Sequence, residues 1–194
     1  MMGCAALGFK PTPAICGKLS QIAGAGMSEA KTLYDEDFLA WSRQQAEALR
    51  SAARGGSNQP LDWENLAEEI ESVGISQRSA LSSQVRRMIR HFIKLEFARA
   101  TEPRRGWFES ANDAKAEIDH LLEYSPSLRK ELPSIIETET RRGSKLAIGD
   151  LERYSELDPL ILARVRARTY TEDEILGDWF PPEPRKPTRR AREP

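Results

Sequence analysis

One stretch of the sequence decides the fold: residues 61–99 read LDWENLAEEIESVGISQRSALSSQVRRMIRHFIKLEFAR. Apolar side chains in its second part alternate steps of four and three residues: Leu81, Val85, Met88, Phe92 and Leu95. This spacing puts them on one side of an α-helix, which is typical of a helix packed in a bundle. We therefore predict a long helix from Ser76 to Arg99, ended by Pro103.

The first part of the stretch carries its own apolar stripe, formed by Trp63, Leu66, Ile70 and Val73. Asp62 is a good N-cap for a second helix, and Gly74 is expected to break or kink it. Residues 62–73 contain acids and no base, whereas the long helix is basic with Glu96 as its only acid. We predict an antiparallel hairpin at Gly74, with the two stripes buried against each other and Glu69 facing bases or His91.

The remaining sequence also has helical spacing and no convincing alternation of period two. Further helices are expected over about 35–53, from the basic loop at 104–107 to near 124, over about 128–148, and in a short segment opening at Asp158. Thr171 and Glu174 have the spacing of a capping box, which predicts one more short helix before the apolar residues Trp179 and Phe180. The predicted fold is all-α: a compact bundle of about five main helices with a short C-terminal helix and an extended apolar clip.

Composition divides the 194 residues into three parts. Residues 1–26 have no acid and weak periodicity, so we expect a disordered leader or an unused upstream start. Residues 183–194 are basic and proline-rich, which predicts a disordered tail. Residues 27–182 are long enough for a single helical domain with one modest core.

Several functional classes have little support in the sequence. No apolar run approaches the roughly 20 residues that a membrane span needs, so we expect a cytoplasmic protein without membrane contact. Two cysteines and two histidines are too few for a disulfide scaffold or a classical zinc module. The domain has more acids than bases, so nucleic acid is expected to bind only weakly, through the basic tail. No cofactor is predicted.

Several motifs resemble those of an uncharacterised bacterial family known as domain of unknown function 29. They are Tyr34-x-x-Asp37-Phe38-x-x-Trp41, Leu61-Asp62 through Glu68-Glu69-Ile70-Glu71 to Gly74, His91-Phe92-Ile93-Lys94, Ser125-Pro126-Ser127-Leu128, and Tyr170-Thr171 to Phe180-Pro181. The likeness covers roughly residues 32–182 and departs from the family pattern at Leu95 and around 151–166. It implies a compact helical domain from a bacterial cytoplasm, and it implies no activity.

Two groups of residues are candidates for a functional site. A cluster of cations beside Trp107 has the composition of a phosphate or RNA site: Arg86, Arg87, Arg90, Lys94, Arg104 and Arg105. The alternative is that these cations pair internally with the acidic helix, and we favour that interpretation. A polar seam flanking the core is the second candidate, formed by Asp62, Glu69, His91 and Glu96, for which a structural network is favoured over catalysis.

The acidic run offers one metal hypothesis, since Glu68 and Glu71 form a Glu-x-x-Glu pair on one helix. Helical nucleotide pyrophosphatases hold magnesium with such a pair and a second one on a neighbouring helix. That second pair is missing here, so a solvated acidic surface is preferred and no metal is predicted. We expect a non-catalytic interaction or regulatory module with a protein partner, and self-association is left open. The alternative is a metal-dependent enzyme acting on a phosphorylated small molecule or nucleotide.

Overall fold

The computed structural model describes residues 32–56 and 59–182. The leader expected at 1–26 and the tail expected at 183–194 lie outside these residues, so both remain predictions. In the described part of the chain, no helix is both long and apolar enough to cross a membrane.

The described residues form seven α-helices and no strand. The helices are α1 (Leu33–Glu36), α2 (Phe38–Arg54), α3 (Trp63–Phe97), α4 (Arg104–Tyr124), α5 (Leu132–Arg153), α6 (Pro159–Ala167) and α7 (Glu172–Leu176), with a 3₁₀ helix (Pro126–Lys130) between α4 and α5. Five of them are sizeable, and an extended segment follows α7. The predicted all-α bundle with a short C-terminal helix and a clip is confirmed.

The hairpin predicted at Gly74 is wrong, because α3 continues through this residue for 35 residues, or about 52 Å. Glycine inside a helix costs only about 1 kcal/mol relative to alanine, and here the missing side chain lets α2 approach. A Cβ at position 74 would collide with Ser42 Oγ and lie 2.9 Å from Leu39 Cδ1. The acidic part of α3 therefore packs against α2. Glu69 is exposed, and 22 residues along the helix separate it from His91 by roughly 33 Å.

The two halves of α3 are buried to very different degrees. The second half is enclosed by α4 and α5, and its buried side chains form the centre of the core: Leu81, Val85, Met88, Ile89, Phe92, Ile93, Leu95 and Phe97. In residues 63–77 only Ala67 and Gly74 are buried. Residues 63–77 of α3 and residues 44–54 of α2 thus form a two-helix extension of the bundle, which we call the arm.

The clip covers one end of the core. The ring of Phe92 makes edge-on contacts with Trp179 and with Phe180, each at 5.3 Å between centroids. Phe180 also meets Phe108 of α4 at 4.6 Å. The capping box at the start of α7 is present, with the Thr171 hydroxyl accepting from the Glu174 amide. The segment from α7 to the clip is therefore part of the packed domain.

We predict that Gly74→Ala destabilises the protein although alanine is the better helix former. Overpacking against Leu39 and Ser42 should cost about 1–3 kcal/mol, more than the propensity gain of at most about 1 kcal/mol. The matched control is Gly149→Ala in α5, where nothing lies within 4 Å of the added Cβ. Urea unfolding of both variants tests this, and a stabilised Gly74→Ala variant would show that the close approach of α2 and α3 is incorrect.

We predict that Phe180→Ala lowers the free energy of unfolding by about 2 kcal/mol. Replacing a fully buried phenylalanine by alanine costs about 3–5 kcal/mol of stability. Phe180 is only partly buried, so a smaller loss is expected. Leu160, 68% exposed on α6, is the control, and Leu160→Ala should change stability by less than about 0.5 kcal/mol. Equal stabilities of the two variants in thermal unfolding would mean that the clip does not dock.

Candidate functional site

Most of the predicted anion-binding cations already have a partner within the protein. Two of them pair with acids on neighbouring helices, Arg86 with Glu139 at 3.6 Å and Arg87 with Asp113 at 3.9 Å. Arg105 pairs with Glu109 on its own helix at 2.8 Å. Arg104 donates a hydrogen bond to the Leu95 carbonyl at 2.9 Å. The acids belong to α4 and α5, so internal pairing occurs without the acidic part of α3 that was expected to supply it.

Arg90 and Lys94, the other two cations, share one carboxylate. Arg90 donates two hydrogen bonds to Asp150, from Nε at 2.8 Å and from Nη2 at 2.7 Å. The ammonium of Lys94 lies 3.4 Å from the same carboxylate and 5.1 Å from the centre of the Trp107 ring. This planar two-bond arrangement holds Asp150 firmly, because the arginine fork matches the geometry of a carboxylate. One negative charge thus serves two positive ones.

A cavity of about 520 Å³ lies between α3, the start of α4 and the end of α5, and its walls include Arg90, Lys94 and Asp150. Its other walls are Ala98, Ala100, Pro103, Trp107, Leu151, Arg153, Tyr154 and Glu156. Among the described residues Arg153 has no ion pair, whereas Glu156 accepts hydrogen bonds from the backbone N–H groups of Arg99 and Ala100. The cavity therefore has spare positive charge and little spare negative charge.

Burial changes the titration of Lys94. Loss of hydration lowers the pKa of its ammonium below the usual value, while the charge of Asp150 partly offsets this effect. A cation of this kind gains from any further anion that approaches it, because low-dielectric surroundings strengthen the attraction.

His91 lies on the same stretch of α3, and its Nδ1 atom is buried without a hydrogen-bond partner. Loss of hydration and the positive charges of Lys94 and Arg90 lower the pKa of His91 to about 4. The imidazole is therefore neutral near pH 7, and it cannot add to the positive charge of the cavity.

The residues of the predicted polar seam are not brought together. Asp62 caps α3, where its Oδ1 accepts from the Asn65 amide at 3.3 Å. Glu69 is exposed in the arm, and Glu96 lies at the far end of α3. Spacing in the sequence predicts only the side of a helix on which each residue lies. Because α3 is continuous, Glu69, His91 and Glu96 are far apart or adjacent along its axis according to their numbers, and Glu69 does not reach the other two.

Glu96 belongs to a structural network whose partners the sequence did not predict. Arg168 donates from Nε to both carboxylate oxygens of Glu96 at 3.1 Å and from Nη2 to Glu174 at 2.6 Å. The Tyr170 hydroxyl donates to Glu96 at 3.3 Å, and burial, together with the charge of Glu96, raises the pKa of Tyr170 far above its usual value. The network ties α7 to α3, so a structural role fits it. The one signal in the sequence was a charge within the apolar face of a helix.

The two glutamates of the alternative metal pair, Glu68 and Glu71, belong to no cluster of three or more His, Cys, Asp or Glu side chains in the described residues. Glu68 is exposed, and Glu71 accepts a hydrogen bond from Arg50 at 2.6 Å. No group of three side chains that could hold a metal ion occurs in residues 32–56 and 59–182.

The arm has one apolar face made by both of its helices. At 100° per residue, one side of the antiparallel pair carries Ala48 and Ala52 of α2, with Trp41 of α2 just before the arm, and Leu66, Ile70 and Val73 of α3. The ion pair between Arg50 and Glu71 lies on the opposite side. Leu66 is 40% exposed and Val73 46% exposed, so the stripe predicted to be buried is half open to solvent. We call these six residues the arm face.

Comparison with known proteins identifies the family. The family model described as Domain of unknown function DUF29 matches residues 33–176. The chain belongs to this family. A similar solved structure is an alpha-helical protein of unknown function from Rhodospirillum rubrum, 26% identical, with a TM-score of 0.61 over 77% of this chain and 92% of that one. No curated protein matches the sequence. The family and the helical fold expected from the motifs are thus confirmed.

We predict that His91 makes this DUF29 domain less stable as the pH falls from about 6.5 to 4. In this window the unfolded chain binds a proton at His91, while the folded chain with its lowered pKa does not, so acid favours unfolding. The full shift would be worth about 3 kcal/mol, and partial solvation of the ring should reduce this to about 1–2 kcal/mol.

The measurement is urea unfolding of the wild type and of His91→Gln at pH 7.5 and at pH 4.5. Wild type should lose more stability than the variant between these values. His120→Gln, on the exposed surface of α4, is the matched control and should follow the wild type. Parallel profiles for wild type and His91→Gln would contradict the burial of a neutral His91.

Proposed function

We propose that the protein is a non-catalytic interaction module that associates with a second copy of itself through the arm face. The observation that carries the proposal is the half-exposed apolar stripe of α3, continued by apolar residues of α2 on the same side. Two helices alone form a single layer, and a layer that is apolar on one side is stable when a second layer covers it. The rest of α3 already has α4 and α5 around it.

A second copy is the occupant that best fits this face. The face carries few charges, because most ionised side chains of the arm, such as Arg50 and Glu71, lie on the other side, and Glu69 lies at its edge. Two identical faces related by a twofold axis near Ile70 bring Leu66 of one copy towards Val73 of the second copy. The four arm helices then make an antiparallel four-helix bundle, and such isologous contacts are the commonest form of assembly.

The size of the arm face sets the expected affinity of the dimer. Residues 44–54 of α2 span about 16 Å, so the contact falls at the lower end of the area range for specific interfaces. A dimer that dissociates at micromolar concentration is therefore expected, corresponding to about 8 kcal/mol. A weak and reversible dimer of this kind suits a regulatory module.

We predict that Val73→Asp prevents dimer formation and that Ile75→Asp does not. Both are exposed β-branched residues of the same helix, but Val73 lies on the arm face and Ile75 on the opposite side. The two variants thus carry the same charge change at neighbouring positions. Sedimentation equilibrium of the full chain over micromolar concentrations is the measurement, with circular dichroism to verify that both variants remain folded.

A wild-type protein that stays monomeric at 1 mM would reject the proposal. Equal dimerisation of the two variants would reject this face as the interface. If removal of residues 1–31 created the dimer, that segment would be the native occupant of the face, and self-association would not be the function.

The alternative of a metal-dependent enzyme has weaker support, because the Glu71 carboxylate is neutralised by Arg50. Thermal stabilisation by magnesium that disappears in Glu68→Gln would favour the enzyme over the interaction module. The expected result is the same unfolding temperature with and without magnesium.

A further inference from the structure

The cavity beside Lys94 has the features of a ligand site, and a ligand bound there would not need self-association through the arm face. We propose that it binds a small organic monoanion that carries a flat ring. The anionic group would lie between Lys94 and Arg153, and the ring would pack against Trp107 and Tyr154.

Charge indicates an anion. Arg90, Lys94 and Arg153 bring three positive charges to the walls, against the two negative charges of Asp150 and Glu156. Asp150 is fully engaged with Arg90 and Lys94, and Glu156 with two backbone amides. One negative charge from a ligand would balance the cavity, so a carboxylate suits it better than a dianion.

Hydrogen-bonding capacity points to the same place. An ammonium group has three hydrogen-bond donors. In the described residues, the only acid that pairs with the Lys94 ammonium is Asp150, at 3.4 Å. Arg153 has no ion pair in this part of the chain, and its guanidinium can form two parallel hydrogen bonds to a carboxylate. Both cations thus have donors that a bound anion can use.

The walls that bear no charge indicate a ring. Trp107 is partly buried, and Tyr154 is 70% exposed at the rim. Pro103 and Leu151 add further apolar surface to the cavity walls. Aromatic pairs add binding energy beyond area burial, and a volume of about 520 Å³ is in the usual range for sites of small organic ligands.

Isothermal titration calorimetry of the full chain with three probes tests the proposal. The probes are 2-naphthoate, which has ring and charge, 2-naphthamide, which keeps the ring without the charge, and acetate, which keeps the charge without the ring. Naphthoate should bind at least about tenfold more tightly than either of the others, because each lacks one group that the cavity recognises. Equal affinity of naphthoate and naphthamide, or no heat of binding with naphthoate at millimolar concentration, would overturn the proposal.

Variants locate the site. Arg153→Gln should weaken naphthoate binding about tenfold, since one charge-assisted contact is lost. It is the safer variant because Arg153 is exposed, whereas Lys94→Met changes a buried residue and should abolish binding if the variant folds. The control is Arg141→Gln, which changes another exposed cation of α5 and should bind naphthoate like the wild type. Equal losses in Arg141→Gln and Arg153→Gln would mean general attraction to a basic surface and would also reject the site.

Discussion

Burial of the second half of α3 is the constraint on which the rest of the structure depends. Its apolar face packs against α4 and α5, and its Phe92 contacts both rings of the clip. Glycine permits the same closeness on the α5 side, where a Cβ at Gly143 would lie 3.0 Å from Ile89 Cγ2. Positions along α3 thus fix where α2, α4 and α5 pack, and α3 also supplies one wall of the cavity.

The parts of the fold that the sequence predicted are those with a strong local signal. The stripe from Leu81 to Leu95 is periodic over four turns, and the capping box at Thr171 is a local motif, so both are found where expected. Gly74 shows the limit of such reasoning. The free-energy cost of a glycine in a helix is small. Whether glycine or alanine is more stable at position 74 depends on how closely another helix approaches. That approach is made by Leu39 and Ser42, some thirty residues away in the sequence.

The candidate site was predicted only in part, because some of its residues have a local signal in the sequence and others do not. Arg90 and Lys94 could be singled out because they lie four residues apart on one helix, near Trp107 in the sequence. Asp150 lies 60 residues from Arg90 along the chain, and no local pattern connects them. Arg153 and Tyr154 lie in the stretch where the sequence departs from the family pattern, so the motifs gave no guide to their role. The arm face required both kinds of information, since the stripe is visible in the sequence but its exposure is visible only in three dimensions.

The continuous α3 has a consequence for local motion. In the described part of a single copy, the backbone hydrogen bonds of residues 63–77 are covered mainly by α2, whereas those of residues 81–97 are enclosed by several helices. Opening of a helix that has few buried contacts needs less free energy than global unfolding. Amide hydrogens within this single helix should therefore exchange with solvent deuterium at rates that fall steeply from its N-terminal to its C-terminal half. The boundary should come near residue 78, where the arm joins the bundle, and the helix would behave as two units of different local stability.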